Sequence, residues 1–103
     1  MVLKGALDLC VLTLLLDGPT YGYDLVERLA ERGLSLVAEG SVYPLLTRLE
    51  KRGLLTSERV PSTDGPPRKY YSITQDGRDV LVVGSAEWSD AVSQIESVLG
   101  RNG

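Results

Sequence analysis

The chain has 103 residues, the length of one small domain. Its composition, 43% hydrophobic and 24% charged, is globular rather than disordered, with a formal net charge of −3. Histidine is absent and Cys10 is the single cysteine, which excludes an intrachain disulfide and a cysteine metal cluster and removes the commonest general base. No Gly-x-Ser-x-Gly elbow and no phosphate-cradling loop occurs, so the chain does not read as an enzyme, and no cofactor or metal is expected. The longest apolar run, Leu9 to Leu16, is broken by Thr13 and is far shorter than the roughly 20 residues that span a bilayer. With no cleavage-site pattern near the start, the expectation is a cytoplasmic protein with no membrane partner.

Gly5 to Leu16 reads as a first helix, apolar on nearly every side, which must be covered by the rest of the fold or by another subunit. Within it Cys10 reads as a small buried hydrophobe. Asp17-Gly18-Pro19 stops the helix. Thr20 is placed to cap a second helix, roughly Tyr21 to Arg32, with Leu25, Val26, Leu29 and Ala30 on one face. Gly33 ends it, and Leu34 to Ala38 is expected as a short edge strand.

Ser41 is expected to cap a third helix, with Pro44 in its first turn, where a missing N–H costs little. At about 100° per residue, Val42, Leu45, Leu46 and Leu49 share one arc and form a core-facing stripe. The opposite arc holds Pro44, Thr47 and Lys51, flanked by Tyr43 and Arg48, and Gly53 supplies the stop. Leu54 to Val60 and Arg68 to Ile73 read as two strands joined by the turn-rich segment "PSTDGPP", a β-hairpin with a proline-stiffened tip. Thr74 caps a last helix running toward Leu99. There Leu81, Trp88 and Ile95 recur every seven residues, with Val92 and Leu99 filling the alternate seam.

The charge is divided along the chain. Residues 1–40 hold three basic and six acidic side chains, residues 41–71 six basic and three acidic, and residues 72–103 two basic and five acidic. An acidic protein thus has a basic middle third, and the local patch is what bears on partners. Helix, helix, short strand, capped helix, hairpin, helix is the element order of a winged helix-turn-helix, in which the third helix enters the major groove. Arg48 and Lys51 on the third helix and Arg68-Lys69 leaving the hairpin stand where they could neutralise phosphates. Ser41, Tyr43 and Thr47 could touch base edges or position the backbone. On the helix alone a solvated charged face is the commoner explanation of the basic residues, and Glu50 and Glu58 could pair with neighbours and neutralise part of the patch; the agreement with the hairpin bases is what favours DNA. A winged-helix module that binds another protein is the alternative.

Three blocks, "GPTYGYDLVERL", "GSVYPLLTRLEKRGLL" and "RKYYSITQDGR", together resemble the N-terminal domain of the PadR-like transcriptional regulators, over roughly residues 10 to 79. The short remainder is similar to the subgroup with a single dimerisation helix, and "SAEWSDAVSQIESVL" to the corresponding helix of its multidrug-binding members. The resemblance implies a mainly α fold with a small β-hairpin: a winged helix-turn-helix over residues 1–73 and a C-terminal dimerisation helix over 74–103. It implies a homodimeric repressor on double-stranded DNA, at an operator with two-fold character, modulated by a small aromatic or planar effector. Carried across, Ser41, Tyr43, Pro44, Thr47, Arg48 and Lys51 belong to the recognition helix, Arg68 and Lys69 to the wing, and Tyr21 and Tyr23 to the start of helix two. For Tyr21 and Tyr23 packing and a hydroxyl-to-phosphate contact stand side by side, and of Tyr70 and Tyr71 one is expected in the core. Leu81, Trp88, Val92, Ile95 and Leu99 would form the dimer interface, with Trp88 stacking the effector. Acidic Asp90 and Glu96 read as solvated helix charges. The wing tip "TDGPPRKYY" departs from the family's more basic, glycine-rich pattern, which implies weaker phosphate contact there.

Overall fold

The stripe of Val42, Leu45, Leu46 and Leu49, each 0–2% exposed, is the centre around which the molecule is organised. The computed structural model describes residues 2–100, with side-chain environments for residues 5–34 and 40–100. Its elements in chain order are α1 (Val2–Leu15), β1 (Thr20–Tyr21), α2 (Gly22–Glu31), α3 (Ser35–Lys51), β2 (Leu55–Ser62), β3 (Gly65–Ile73) and α4 (Gln75–Leu99). Val11, Leu12 and Leu15 of α1 and Leu25 and Leu29 of α2 close over the α3 stripe, and Leu54, Leu55 and Tyr71 complete the core from the sheet side. The winged helix-turn-helix architecture is therefore present, with α3 held by helices on one side and by the hairpin on the other. None of the described helices is long and apolar enough to cross a membrane.

Three local expectations are corrected. Thr20 does not cap α2: it pairs with Tyr71 in a three-stranded antiparallel sheet of order β1-β3-β2, and its hydroxyl donates to Asp24 at 2.7 Å. The N-cap is Tyr21, whose side chain makes no capping hydrogen bond. Leu34 to Ala38 is not an edge strand, because α3 begins at Ser35, and the sheet's third strand is Thr20–Tyr21 instead. Consequently Ser41 lies within α3 rather than at its cap, and Pro44 sits in the helix interior. Proline cannot donate to the carbonyl four residues back, that of Gly40, and Gly40 is exposed, so water can serve that carbonyl.

The hairpin is also longer than "PSTDGPP" as a loop implies. Ser62 pairs with Gly65, leaving Thr63 and Asp64 as the turn, and a register shift falls between Val60 and Ser62. The two ends of the hairpin are fixed firmly to the helices. At the end of α3 the Leu54 N–H bonds to the Leu49 carbonyl at 3.0 Å around Gly53, whose φ of 78° lies in the left-handed region. Thr74 then acts as expected: its hydroxyl accepts from the Gly77 N–H at 3.0 Å and donates to the Gly53 carbonyl at 2.7 Å. One threonine thereby caps α4 and ties it to the end of α3.

The 25 residues of α4 extend about 37 Å. Near its start Leu81 is buried, but Val82, Val83, Ile95, Val98 and Leu99 are exposed in the single chain. Where α4 crosses α1, a Cβ at Gly84 would lie 2.7 Å from Cδ2 of Leu9, so the absence of a side chain sets how closely the two helices approach.

Candidate nucleic-acid interface

The outward stripe of α3 follows from its inward one. Tyr43, Thr47 and Lys51 succeed one another at four-residue spacing, with Pro44 beside them, and all four are exposed. The Thr47 hydroxyl donates to the Tyr43 carbonyl at 3.2 Å, which fixes its rotamer while leaving its lone pairs outward. Ser41, two residues before Tyr43, is half-buried. Tyr43 also reaches the start of α2. A Cβ on buried Gly22 would collide with the Tyr43 ring, so glycine is required for that ring to lie across the α2–α3 junction. Tyr23, one residue on, is exposed.

The hairpin adds a second group. Register places Tyr21 opposite Tyr70, and their rings pack at 5.3 Å between centroids with planes at 56°. The Arg68 guanidinium carbon lies 4.5 Å from the Tyr21 ring centroid. Arg68, Tyr21 and Tyr70 thus form one stack, on the sheet face opposite Tyr71. Tyr71 is the tyrosine of this pair that enters the core. Packing is what Tyr21 does in this fold, while Tyr23 is left to solvent.

Two expected basic residues are not free. Arg48 lies on the α1 side of α3, where it donates to Asp8 at 3.1 Å, and Arg52 approaches the same carboxylate at 3.9 Å. Lys69 pairs with Glu50 at 3.1 Å, and Glu50 also accepts from the Ser57 hydroxyl at 2.5 Å. The Ser57 hydrogen bond, and after it Lys69, hold the Glu50 carboxyl below the ordinary glutamate range. The Lys69 ammonium is raised in turn, chiefly by its hydrogen bond to Glu50. Glu50 therefore joins α3 to both strands of the wing. Glu50 was expected to be able to neutralise part of the basic patch, as it does with Lys69, but Asp8 and Ser57 were not visible as partners in the sequence, because pairings across 40, 19 and 7 residues depend on tertiary packing. Arg59, counted in the basic middle but not singled out, is exposed and carries no ion pair among the described residues. It stands opposite Lys69 in the hairpin register.

An exposed helical stripe ending in the ammonium of Lys51, beside a hairpin bearing Arg59 and Arg68, is the arrangement that a winged helix-turn-helix turns toward DNA. Residues 11–82 match the model of the PadR-like family of transcriptional regulators, a span that contains all three sequence blocks. The chain belongs to the PadR-like family. It is 37% identical over 78 residues to a transcriptional regulator of Mycobacterium tuberculosis, covering 76% of this chain and 71% of that one. Among solved structures, a Streptococcus transcriptional regulator superposes with a TM-score of 0.82 at 38% identity, covering 95% of this chain and 96% of that one. A PadR-like transcriptional regulator from Bacillus cereus superposes with a TM-score of 0.79 at 37% identity, covering 94% of both chains. As a PadR-like protein the chain is a DNA-binding transcriptional regulator and not an enzyme.

In this PadR-like chain Trp88 occupies the α1–α4 crossing, one turn after Gly84, and is 37% exposed. It lines two grooves that share Leu9. One, of about 330 Å³, runs past Asp8, Arg52, Val80 and Glu87. The other, of about 460 Å³, is walled by Ala6, Cys10, Leu14, Leu29 and Leu34, with Arg32 as its basic residue. Burial in that apolar wall pushes the Cys10 thiol pKa up, in keeping with a packed rather than a reactive cysteine. Leu81 faces the core of the single chain, whereas Val92 is half-buried and Ile95 and Leu99 are exposed.

Proposed function

We propose that the protein is a homodimeric repressor that binds an operator with two-fold character and releases or retains it according to a small aromatic or planar effector seated between the subunits. The reading divides the chain into a DNA-binding unit over residues 1–73 and a dimerisation helix over 74–103. The observation that carries it is the apolar stripe of α4. Trp88, Val92, Ile95 and Leu99 lie outside the single-chain core, and that face continues into the grooves beside α1. An uncovered stripe at heptad spacing is the surface on which a second copy packs. Pairing through α4 and α1 would set two recognition helices about 34 Å apart, one turn of DNA. Tyr43, Pro44, Thr47, Lys51 and Arg68 then supply the outward DNA contacts, with Ser41, Tyr21 and Tyr23 supporting them.

An effector stacked on Trp88 would act by binding one inter-subunit geometry more tightly than another, with a coupling of about 1–3 kcal/mol. Selection of bound sequences from random duplex DNA by the purified protein tests the repressor reading: a palindromic consensus supports it, and recovery of no consensus defeats it. Sedimentation tests the dimer, and a titration of planar aromatic compounds followed by emission of the lone Trp88 tests the effector. Emission unchanged across a chemically varied set would leave Trp88 as a structural anchor.

A further inference from the structure

Asp8 is the one α1 carboxylate that meets the recognition helix. Its side chain is 18% exposed, and it is shared by two guanidinium groups, one in α3 and one on the residue that caps it: Nη2 of Arg48 at 3.1 Å on Oδ1 and Nη1 of Arg52 at 3.9 Å on Oδ2. Arg48 follows Thr47 directly and is itself 36% exposed, so solvent, and hence a DNA phosphate, can reach it from outside while Asp8 holds it from within. Carboxylate and phosphate present the same charged oxygen acceptors to a guanidinium. The two therefore compete for Arg48, and the carboxylate is already in place, partly desolvated, on a packed helix.

We propose that Asp8 is a specificity-determining residue that acts as an internal phosphate surrogate. It keeps Arg48, and with it Arg52, from making sequence-blind contacts with the DNA backbone. Resting on the DNA-binding reading above, the inference assigns backbone affinity to Lys51, Arg59 and Arg68, and gives Arg48 no phosphate contact in the wild-type protein. The function is restraint. Every phosphate neutralised strengthens binding to all sequences alike, so a cation withheld lowers non-specific binding without weakening base readout.

The test is the salt dependence of binding to a random-sequence duplex, followed by fluorescence anisotropy of labelled DNA. Each additional phosphate contact steepens the log–log slope by about 0.9. Asp8→Asn is expected to steepen the slope by about one for each guanidinium released and to tighten binding at low salt. Arg48→Gln is expected to leave the wild-type slope unchanged but, combined with Asp8→Asn, to remove one contact's share of the gain, about 0.9, leaving only the share of Arg52. Asp79→Asn, the same charge change on the exposed face of α4, is expected to leave the slope where it is. An Asp8→Asn slope equal to wild type, or equal steepening by Asp79→Asn, overturns the proposal. So does a shallower slope for Arg48→Gln alone, a result that needs no Asp8 variant to fold. Failure of the DNA reading itself looks different: the wild-type protein would then show no salt-dependent binding at all.

Discussion

The guanidinium of Arg68 lies 4.5 Å from the centre of the Tyr21 ring, although 47 positions separate the two residues in the chain. The contact exists because β1 is only two residues long and pairs with β3 at the base of the wing. A stack of this kind is worth about 0.5–1 kcal/mol at an exposed site, and it holds the cation in one orientation. Arg68→Ala is expected to make the salt dependence of DNA binding shallower by about 0.9, the loss of one phosphate contact. Tyr21→Leu keeps the charge, so it should weaken binding with little change in slope. A slope shallower by the same amount, about 0.9, in Tyr21→Leu would mean that Arg68 reaches its phosphate only when the ring holds it.

Lys51 and Leu46 are on opposite arcs of α3 and should separate function from stability. Lys51 is exposed and Leu46 is fully buried. Lys51→Ala is expected to weaken DNA binding and to change unfolding free energy by no more than about 0.5 kcal/mol. Leu46→Ala should cost about 2–5 kcal/mol in urea denaturation, through lost burial and the cavity left behind. If Lys51→Ala destabilises comparably, the outward assignment of that face is wrong.

Gly84 sets the approach of α4 to α1. Gly84→Ala should be close to neutral, because the atom in the way is the end of the flexible Leu9 side chain and alanine gains about 1 kcal/mol of helix propensity. Gly84→Leu has no such room and should cost about 1–3 kcal/mol by overpacking. Chemical denaturation of both variants checks the contrast, and equal stabilities would show that the helices are not in close contact there.

The junction of wing and recognition helix should respond to acid. The Ser57 hydroxyl and then Lys69 hold the Glu50 carboxyl below its ordinary range in the folded state. A carboxyl depressed on folding contributes stability above its unfolded value, and the contribution is lost as pH falls through the folded value. Glu50→Gln should therefore lose stability relative to wild type near neutrality, with the gap narrowing as pH drops below the ordinary glutamate range. Lys69, raised on folding, contributes below its unfolded value and loses that contribution only as pH rises through its elevated folded value, so it does not shape the acid limb. A gap that stays constant into acid would remove Glu50 from this role.

What the sequence determined by itself was local in origin. The buried stripe of Val42, Leu45, Leu46 and Leu49 and the exposed face opposite follow from the 3.6-residue period, which needs no knowledge of the rest of the chain. The Thr74 cap, the Gly53 stop and the existence of the hairpin were legible for the same reason, since caps and turns are written within a few residues. The family blocks were legible because they combine such local signals at fixed spacing. Tertiary structure decided the rest. Thr20 and Tyr21 are a strand only because β3, fifty residues later, offers them a free edge, and without that pairing Thr20 reads as a helix cap. Leu34 to Ala38, short and apolar, carries no period that separates strand from helix, and α3 extends through all but its first residue. Arg48 and Lys69 looked free because their charges were visible in the sequence while Asp8 and Glu50 were brought to them by packing. Ion pairs between distant elements are decided by where the core places each helix, and no local pattern records that.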